Sequence, residues 1–222
     1  PRIQIGYKLR SFHNNLQNLD KEQRWTKQEV FTELRMKSKN LRTSPFQNIK
    51  LRTIKVDNYE QDVLLTEPPR ILRKSNYYGE IAYQLKNRQV LKPKVLKLNY
   101  IYGFNEYSNL VNCLQLTSKM EKSYNKSSDK ISWRLFTGYH FNKDISNRYS
   151  FYLSGKNGGM DYLYDNIYFA RNSTDQNDFL SRQNDNSYGG FKAQDTTLRT
   201  NSWMISNNLK IDIPKIPLGI FA

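Results

Sequence analysis

Hydrophobic side chains recur at every second position along much of this chain, the period of a half-buried strand rather than of a helix. Ile3, Ile5, Tyr7 and Leu9 alternate with Arg2, Gln4, Gly6 and Lys8. Tyr77, Gly79, Ile81, Tyr83 and Leu85 form one face of another run, against Tyr78, Glu80, Ala82 and Gln84. Leu96, Leu98, Tyr100, Tyr102 and Phe104 share a face, with Lys97 and Asn99 on the other. Leu114 and Leu116 continue the pattern against Cys113, Gln115 and Thr117. Ile131, Trp133, Leu135, Thr137, Tyr139 and Phe141 oppose Ser132, Arg134, Gly138 and His140. Trp203, Ile205, Leu209, Ile211 and Ile213 oppose Ser202, Ser206, Asn208, Lys210 and Asp212. Several runs reach about ten residues, where globular strands average about five or six.

The N-terminal third is less regular. Phe12 to Arg24 reads as a short helix or an ordered loop, ahead of a strand from about Trp25 to Lys37. There Val30, Leu34 and Met36 alternate with Phe31, Glu33 and Arg35, a mixed pattern. Ile49 and Leu51, then Ile54 and Val56, suggest a further strand whose phase breaks. Pro68-Pro69 ends whatever precedes it. Residues 1–70 are thus the irregular part and 77–222 the best-patterned part of one domain spanning 1–222.

Long dyad-patterned strands with aromatic ends and a polar second face are the signature of a transmembrane β-barrel. Lipid demands an apolar outer face, a wet lumen accepts Lys, Arg, Asn and Ser, and Tyr and Trp favour the interfacial belt. The expected fold class is therefore all-β, an antiparallel transmembrane β-barrel. On this reading Leu96, Leu98, Tyr100, Tyr102, Trp133, Leu135 and Tyr139 face lipid, while Lys97, Asn99 and Arg134 face inward. A soluble all-β module would show the same alternation, and it stays as the alternative. Connections add a second hint: Asn105–Asn109 and Asn142–Arg148 read as short, Lys86–Lys94 and Glu121–Lys130 as longer. Outer-membrane barrels alternate in this way, which would place the second pair outside.

Composition narrows the field. The chain is 222 residues long and 14% aromatic, which excludes a disordered chain. No apolar stretch approaches the ~18 residues of a membrane-spanning helix. Lys and Arg number 35 against 20 Asp and Glu, and the first hundred residues carry 21 basic against 9 acidic side chains, so the excess lies mainly in the first half. A basic half is the footprint of a nucleic-acid surface. The chain has no zinc finger, RNA-binding aromatic signature or continuous basic helix, and no nucleic acid is expected as a partner. The reading favours outer-membrane lipids, other subunits of an outer-membrane complex, and location in the bacterial outer membrane. Both ends read as cut, since Pro1 lacks a preceding Met and Phe221-Ala222 falls within an apolar run. The expectation is a piece of a longer polypeptide, with a further strand supplied after Ala222 or by another chain.

No catalytic constellation emerges. A lone Cys113 excludes an intrachain disulfide and a multi-cysteine zinc cluster, and it reads as an inert small side chain. His13 and His140 lack a neighbouring Glu and a second His four residues on, so no HExxH zinc site exists. Asp161 and Asp165, four apart in DYLYD, read as turn carboxylates before they read as calcium ligands, because calcium takes about six or more oxygens. The stretch SGKNGG, with Gly155, Gly158 and Gly159, lacks phosphate-loop spacing. Catalytic, cofactor and metal residues are all read as none.

The stretches DYLYDNIYFARN (Asp161–Asn172), FLSRQ (Phe179–Gln183), GGFK (Gly189–Lys192) and the final TNSWMISNNLKIDIPKIPLGIFA together resemble a known group. They are similar to the C-terminal barrel of Bacteroidota outer-membrane proteins, in particular the barrel attached to M1-family (gluzincin) metallopeptidase domains. More distantly they resemble the last strands of the Omp85 superfamily. The resemblance implies an inward-folding lid loop with an Arg-Gly pair and a Gly-containing turn, which makes Arg182, Gly189 and Gly190 lid or turn positions. Here Arg182 is followed by Gln183, not Gly. Any peptidase activity it implies would lie in a domain outside this chain.

Overall fold

The structure is a computed structural model that describes residues 1–14, 23–36, 45–62, 70–87, 89, 92–124, 129–142, 145–154, 160–166, 188–190, 198–212 and 219–221. Its strands are β1 (Arg2–Asn14), β2 (Gln23–Met36), β3 (Phe46–Asp62), β4 (Arg70–Asn87), β5 (Lys94–Phe104), β6 (Asn109–Ser123) and β7 (Lys130–His140). A 3-10 turn (Asn147–Tyr149) and two short strands, β8 (Phe151–Tyr152) and β9 (Arg199–Thr200), precede β10 (Trp203–Asp212) and β11 (Gly219–Phe221). One nine-stranded sheet runs β1 to β7, then β10 and β11, with every pairing antiparallel. Among the described residues β8 and β9 pair with each other and form a separate two-stranded sheet. Of the Phe12 to Arg24 stretch, Phe12–Asn14 and Gln23–Arg24 are strand, and the rest lies outside the described residues. Pro68-Pro69 and Arg182 also lie outside them.

The expected closed barrel is not what these strands form. β1 and β11 are the two edges, and no pairing among the described residues joins them. β11 pairs with Lys210, Ile211 and Asp212 of β10, and among the described residues the β1 edge has no strand beside it, so the sheet is open.

Because successive strands reverse, their connections alternate between two ends of the sheet. Residues 105–108 lie at one end, and those joining β4 to β5 and β6 to β7 at the other. Asn142–Arg148 is not the short turn expected from the sequence. It opens an excursion from Phe141 to Ser202, because Phe151-Tyr152 pairs with Arg199-Thr200 instead of with β7. The length rhythm therefore reverses, and the longest connection shares an end with 105–108.

The two faces of the sheet differ sharply. Ile5 (74% exposed), Leu9, Val30, Leu51, Ile81, Trp203 (61%) and Ile205 stand on the open face. The opposite face holds Lys27 at 2%, Glu29, Glu80, Val56 at 0%, Phe136 and Met204, all buried. Leu98, Tyr102 and Tyr139 are exposed, as the alternation requires. Lys97, Asn99 and Arg134 line a cavity on the inner face.

What covers that inner face is the excursion itself. Ile145, Tyr149, Phe151, Tyr152, Tyr162, Leu163 and Tyr188 make one core cluster with Ile54 and Val56 of β3, Tyr78 of β4, Ile101 of β5, Cys113 of β6 and Phe136 of β7. The sheet thus wraps around a folded-in segment. The broken phase at Ile54 and Val56 follows from this, since β3 keeps an uninterrupted register from Phe46 to Asp62. Leu51 obeys the open face and Ile54 and Val56 obey the segment beneath them.

Glycines seat the rings. Gly103 lies opposite Tyr78, and a Cβ on it would come within 2.5 Å of that ring. A Cβ on Gly138 would meet the Phe151 ring at 2.7 Å, and one on Gly6 would meet the Phe31 ring at 2.5 Å. Aromatic rings over strand glycines restore packing that the missing side chain would forfeit.

Candidate functional site on the inner face

The densest polar chemistry is an ionic cluster where the excursion meets β1 to β4. Trp25, Lys27 and Glu29 on β2, Arg52 on β3 and Glu80 on β4 all project inward, because each occupies the phase opposite to the exposed apolar residues. Arg52 donates from both terminal nitrogens to Asp165, at 2.7 Å to each carboxylate oxygen. Lys27 Nζ adds a third contact to Asp165 at 2.6 Å. Arg10 donates to the Asp165 carbonyl oxygen at 3.0 Å. Arg52 also holds Glu80, and Glu29 lies 3.3 Å from both Lys27 and Lys50. A bidentate Arg–carboxylate pair is the geometry that gives such contacts both strength and direction.

Local backbone aims the carboxylate. Tyr164 has φ 52, the left-handed region that a bulky L residue seldom enters. The Tyr164 ring packs tilted against Trp25, with centroids 4.5 Å apart, and its hydroxyl donates to Asn58 while accepting from Arg148. Those contacts hold the strained residue in place. The buried Asp161 carboxylate accepts backbone N–H groups of Asp165 (3.4 Å) and Asn166 (3.0 Å), which closes the turn. Burial alone would raise the Asp165 carboxyl, but the hydrogen bonds and charges of Arg52 and Lys27 hold it well below the usual carboxylate range. Burial drives the Tyr162 phenol well above its ordinary value, so it stays neutral in the core.

The two acidic residues of DYLYD therefore have separate tasks: Asp161 closes a turn, and Asp165 binds the sheet. Among the described residues no cluster of three His, Cys, Asp or Glu gathers. Cys113 is fully buried on the inner face, with the Gln115 amide 3.4 Å from its sulfur. Arg182 is outside the described residues, whereas Gly189 and Gly190 sit against the wall of β7 and β10. Ser206 donates to the Gly189 carbonyl (2.8 Å), and Arg134 donates to the Tyr188 carbonyl (2.7 Å). Gly190 has φ 83, and a Cβ on Gly189 would fall 1.8 Å from the Leu153 carbonyl oxygen, so this turn tolerates only glycine at both positions.

Beneath the segment, between β4 and β7, lies a cavity of about 540 Å³ lined by Lys86, Lys97, Lys119 and Arg134 on the wall and by Asp161, Leu163 and Asp165 above. Sequence patterning placed Lys97 and Arg134 inward. It missed Arg52 and Lys27, whose partner Asp165 is more than a hundred residues away. No known protein family, no curated protein and no solved structure matches this chain.

Proposed function

We propose that this chain forms the wall of an outer-membrane β-barrel, with residues 145–154, 160–166 and 188–190 folded into the lumen as a plug. The observation that carries this reading is the reversal of faces. Ile3, Ile5, Leu9, Ile205 and Trp203 are all more than half exposed, while Lys27, Glu29 and Glu80 are buried. Water on the open face would leave that apolar surface uncovered, at about 25 cal/mol for each Å². Lipid covers it, and a lumen solvates or pairs the charges. The partners on this reading are outer-membrane lipids around the wall and other subunits or strands at the open edges.

The wall serves to anchor, or to form the membrane part of, a larger surface or periplasmic protein. The resemblance of DYLYD, FARN and GGFK to barrels that carry M1-type peptidase domains supports an attached domain of that kind. Long connections of such barrels face outward, so the plugged end and residues 105–108 are assigned to the outside. A label at Glu106 should be reached on intact cells, and exclusive labelling at Lys92 would reverse the orientation.

Flotation tests the membrane reading. The polypeptide refolded with lipid vesicles should rise with them through a sucrose gradient and survive a carbonate wash. A chain that remains folded and monomeric in buffer without detergent overturns it. That result would favour a soluble all-β module that holds an anionic partner against its basic inner face.

A further inference from the structure

We propose that the open face carries a docking groove for one acyl chain of a membrane lipid, with Gly79 of β4 as its floor. Gly6, Gly103 and Gly138 each lie under a ring of the inner face, where a Cβ would come within 2.7 Å of Phe31, Tyr78 or Phe151. Gly79 differs on both counts. It shares the open-face phase of Ile81, which is 51% exposed, and a Cβ on it would meet nothing within 4 Å. A glycine inside a strand marks a bulge or a place where something approaches the backbone closely. Both ladders run through Gly79 without a register shift, which leaves the close approach.

Register sets the width of the groove. Gly79 pairs with Thr53 on β3 and with Tyr102 on β5. Neighbouring strands stand about 4.8 Å apart, so the two that carry the walls are about 9.6 Å apart. That gap takes one hydrocarbon chain, whose carbons touch a wall at about 3.5–4.0 Å. A helix, about 10 Å across, is too wide to reach the floor. The rings that could cover Gly79 are drawn off to one side. Tyr77 stacks on Phe104 with centroids 5.5 Å apart, Tyr102 lies 6.0 Å from the same ring, and the Tyr102 hydroxyl donates to Asn109 at 3.0 Å. What they leave is a dish of about 340 Å³ with Val30, Leu51, Ile81 and Tyr100 on its rim. Arg52 and Glu80 border it as well, but they pair with each other on the inner face. The guest is therefore held by dispersion contacts along an apolar chain. Its depth and source rest on the wall reading above: Tyr77, Tyr102 and Phe104 then mark the membrane–water interface, and the dish lies just beneath it, among the first carbons of the acyl chains.

Photolabelling tests the groove on the full polypeptide in dodecyl maltoside micelles. The probe is a phosphatidylcholine whose acyl chain carries a diazirine close to its carbonyl carbon. Saturable labelling near one per chain is expected, mapped to the peptides that hold Leu51, Ile81 and Tyr102 and competed by unlabelled phosphatidylcholine. Gly79→Leu, which fills the floor, should lower it at least about fivefold, the worth of one or two methylene contacts. Thr137→Leu, elsewhere on the open face, should leave it unchanged, and circular dichroism should show the same sheet in all three. Labelling that spreads evenly over the open face without saturating overturns the proposal, as does equal labelling of Gly79→Leu. Dimers that Gly79→Leu abolishes would assign the groove to a second copy and overturn it too. Flotation is read separately: a polypeptide that floats but labels evenly keeps the wall and loses the groove, whereas one that stays in the aqueous phase and labels saturably at Gly79 keeps the groove and loses the wall.

Discussion

Arg52 and Asp165, 113 residues apart in sequence, meet through two parallel hydrogen bonds of 2.7 Å and so fasten the excursion to the inner wall. Lys27 closes on the same carboxylate from the neighbouring strand at 2.6 Å. Removing the carboxylate leaves two buried cations, Lys27 and Arg52, with less anion to share, which is the expensive way to break a buried pair. Asp165→Asn should therefore lower stability by roughly 3 kcal/mol. Chemical denaturation is the check, and Asp165→Glu should recover part of the loss. A midpoint unchanged in Asp165→Asn would mean that the aromatic packing alone docks the segment.

The pH dependence follows from the same group. The Asp165 carboxyl titrates lower in the folded protein than its ordinary 3.8. Such a group adds stability above its unfolded value and loses it as the pH falls through the folded one. The protection that Asp165 adds, read as the difference in protease cleavage between the native protein and Asp165→Asn, should thus stay constant from neutral pH down to about 4 and shrink only in stronger acid. A difference between the two proteins that already shrinks near pH 6 would contradict the Asp165 clamp.

The strands were legible where one face meets only the open side. β1, β5, β7 and β10 alternate cleanly because Ile3, Leu98, Tyr139 and Ile205 are all exposed while their neighbours point inward. β2 and β3 resisted reading because their inner faces serve two environments along one strand. Lys27 and Glu29 meet charge, whereas Ile54 and Val56 meet Tyr and Phe rings of the excursion. The described residues of the excursion pack by inserting rings into the core cluster, with Phe151 seated over Gly138, and such packing has no period of two. Asp161 and Asp165 both read as turn carboxylates, which fits Asp161 and misses what Asp165 does. The Arg52–Asp165 clamp was not legible, because nothing local pairs two residues so far apart.

Glycine 138 offers a test of those seats. Gly138→Ala would drive a methyl group to 2.7 Å from the buried Phe151 ring. Overpacking of this kind costs about 1–3 kcal/mol. A second change, Phe151→Leu, should relieve part of it, as a double-mutant cycle would read. Gly79→Ala should be tolerated, because its Cβ would meet nothing within 4 Å. Equal losses at both glycines would refute the seating.

The two faces of β5 differ by one residue. Leu98 is exposed on the open face and Asn99 lines the inner cavity. An arginine on a lipid face at mid-membrane costs about 2–4 kcal/mol, and a lumenal one far less. Leu98→Arg should therefore impair folding into bilayers, measured by the heat-modifiable band, much more than Asn99→Arg. Equal impairment would reverse or erase the assigned phase.

The most direct measurement of the central claim is tryptophan quenching by brominated lipid acyl chains. Trp203 stands on the open face at 61% exposure, whereas Trp25 packs inward on Tyr164 at 4.5 Å. Variants that keep a single tryptophan separate the two. The account predicts strong quenching of Trp203 and little of Trp25 in vesicles bearing bromine high on the acyl chain. Fluorescence from both that is unaffected by the brominated lipid, with the protein left in the aqueous phase, would contradict it.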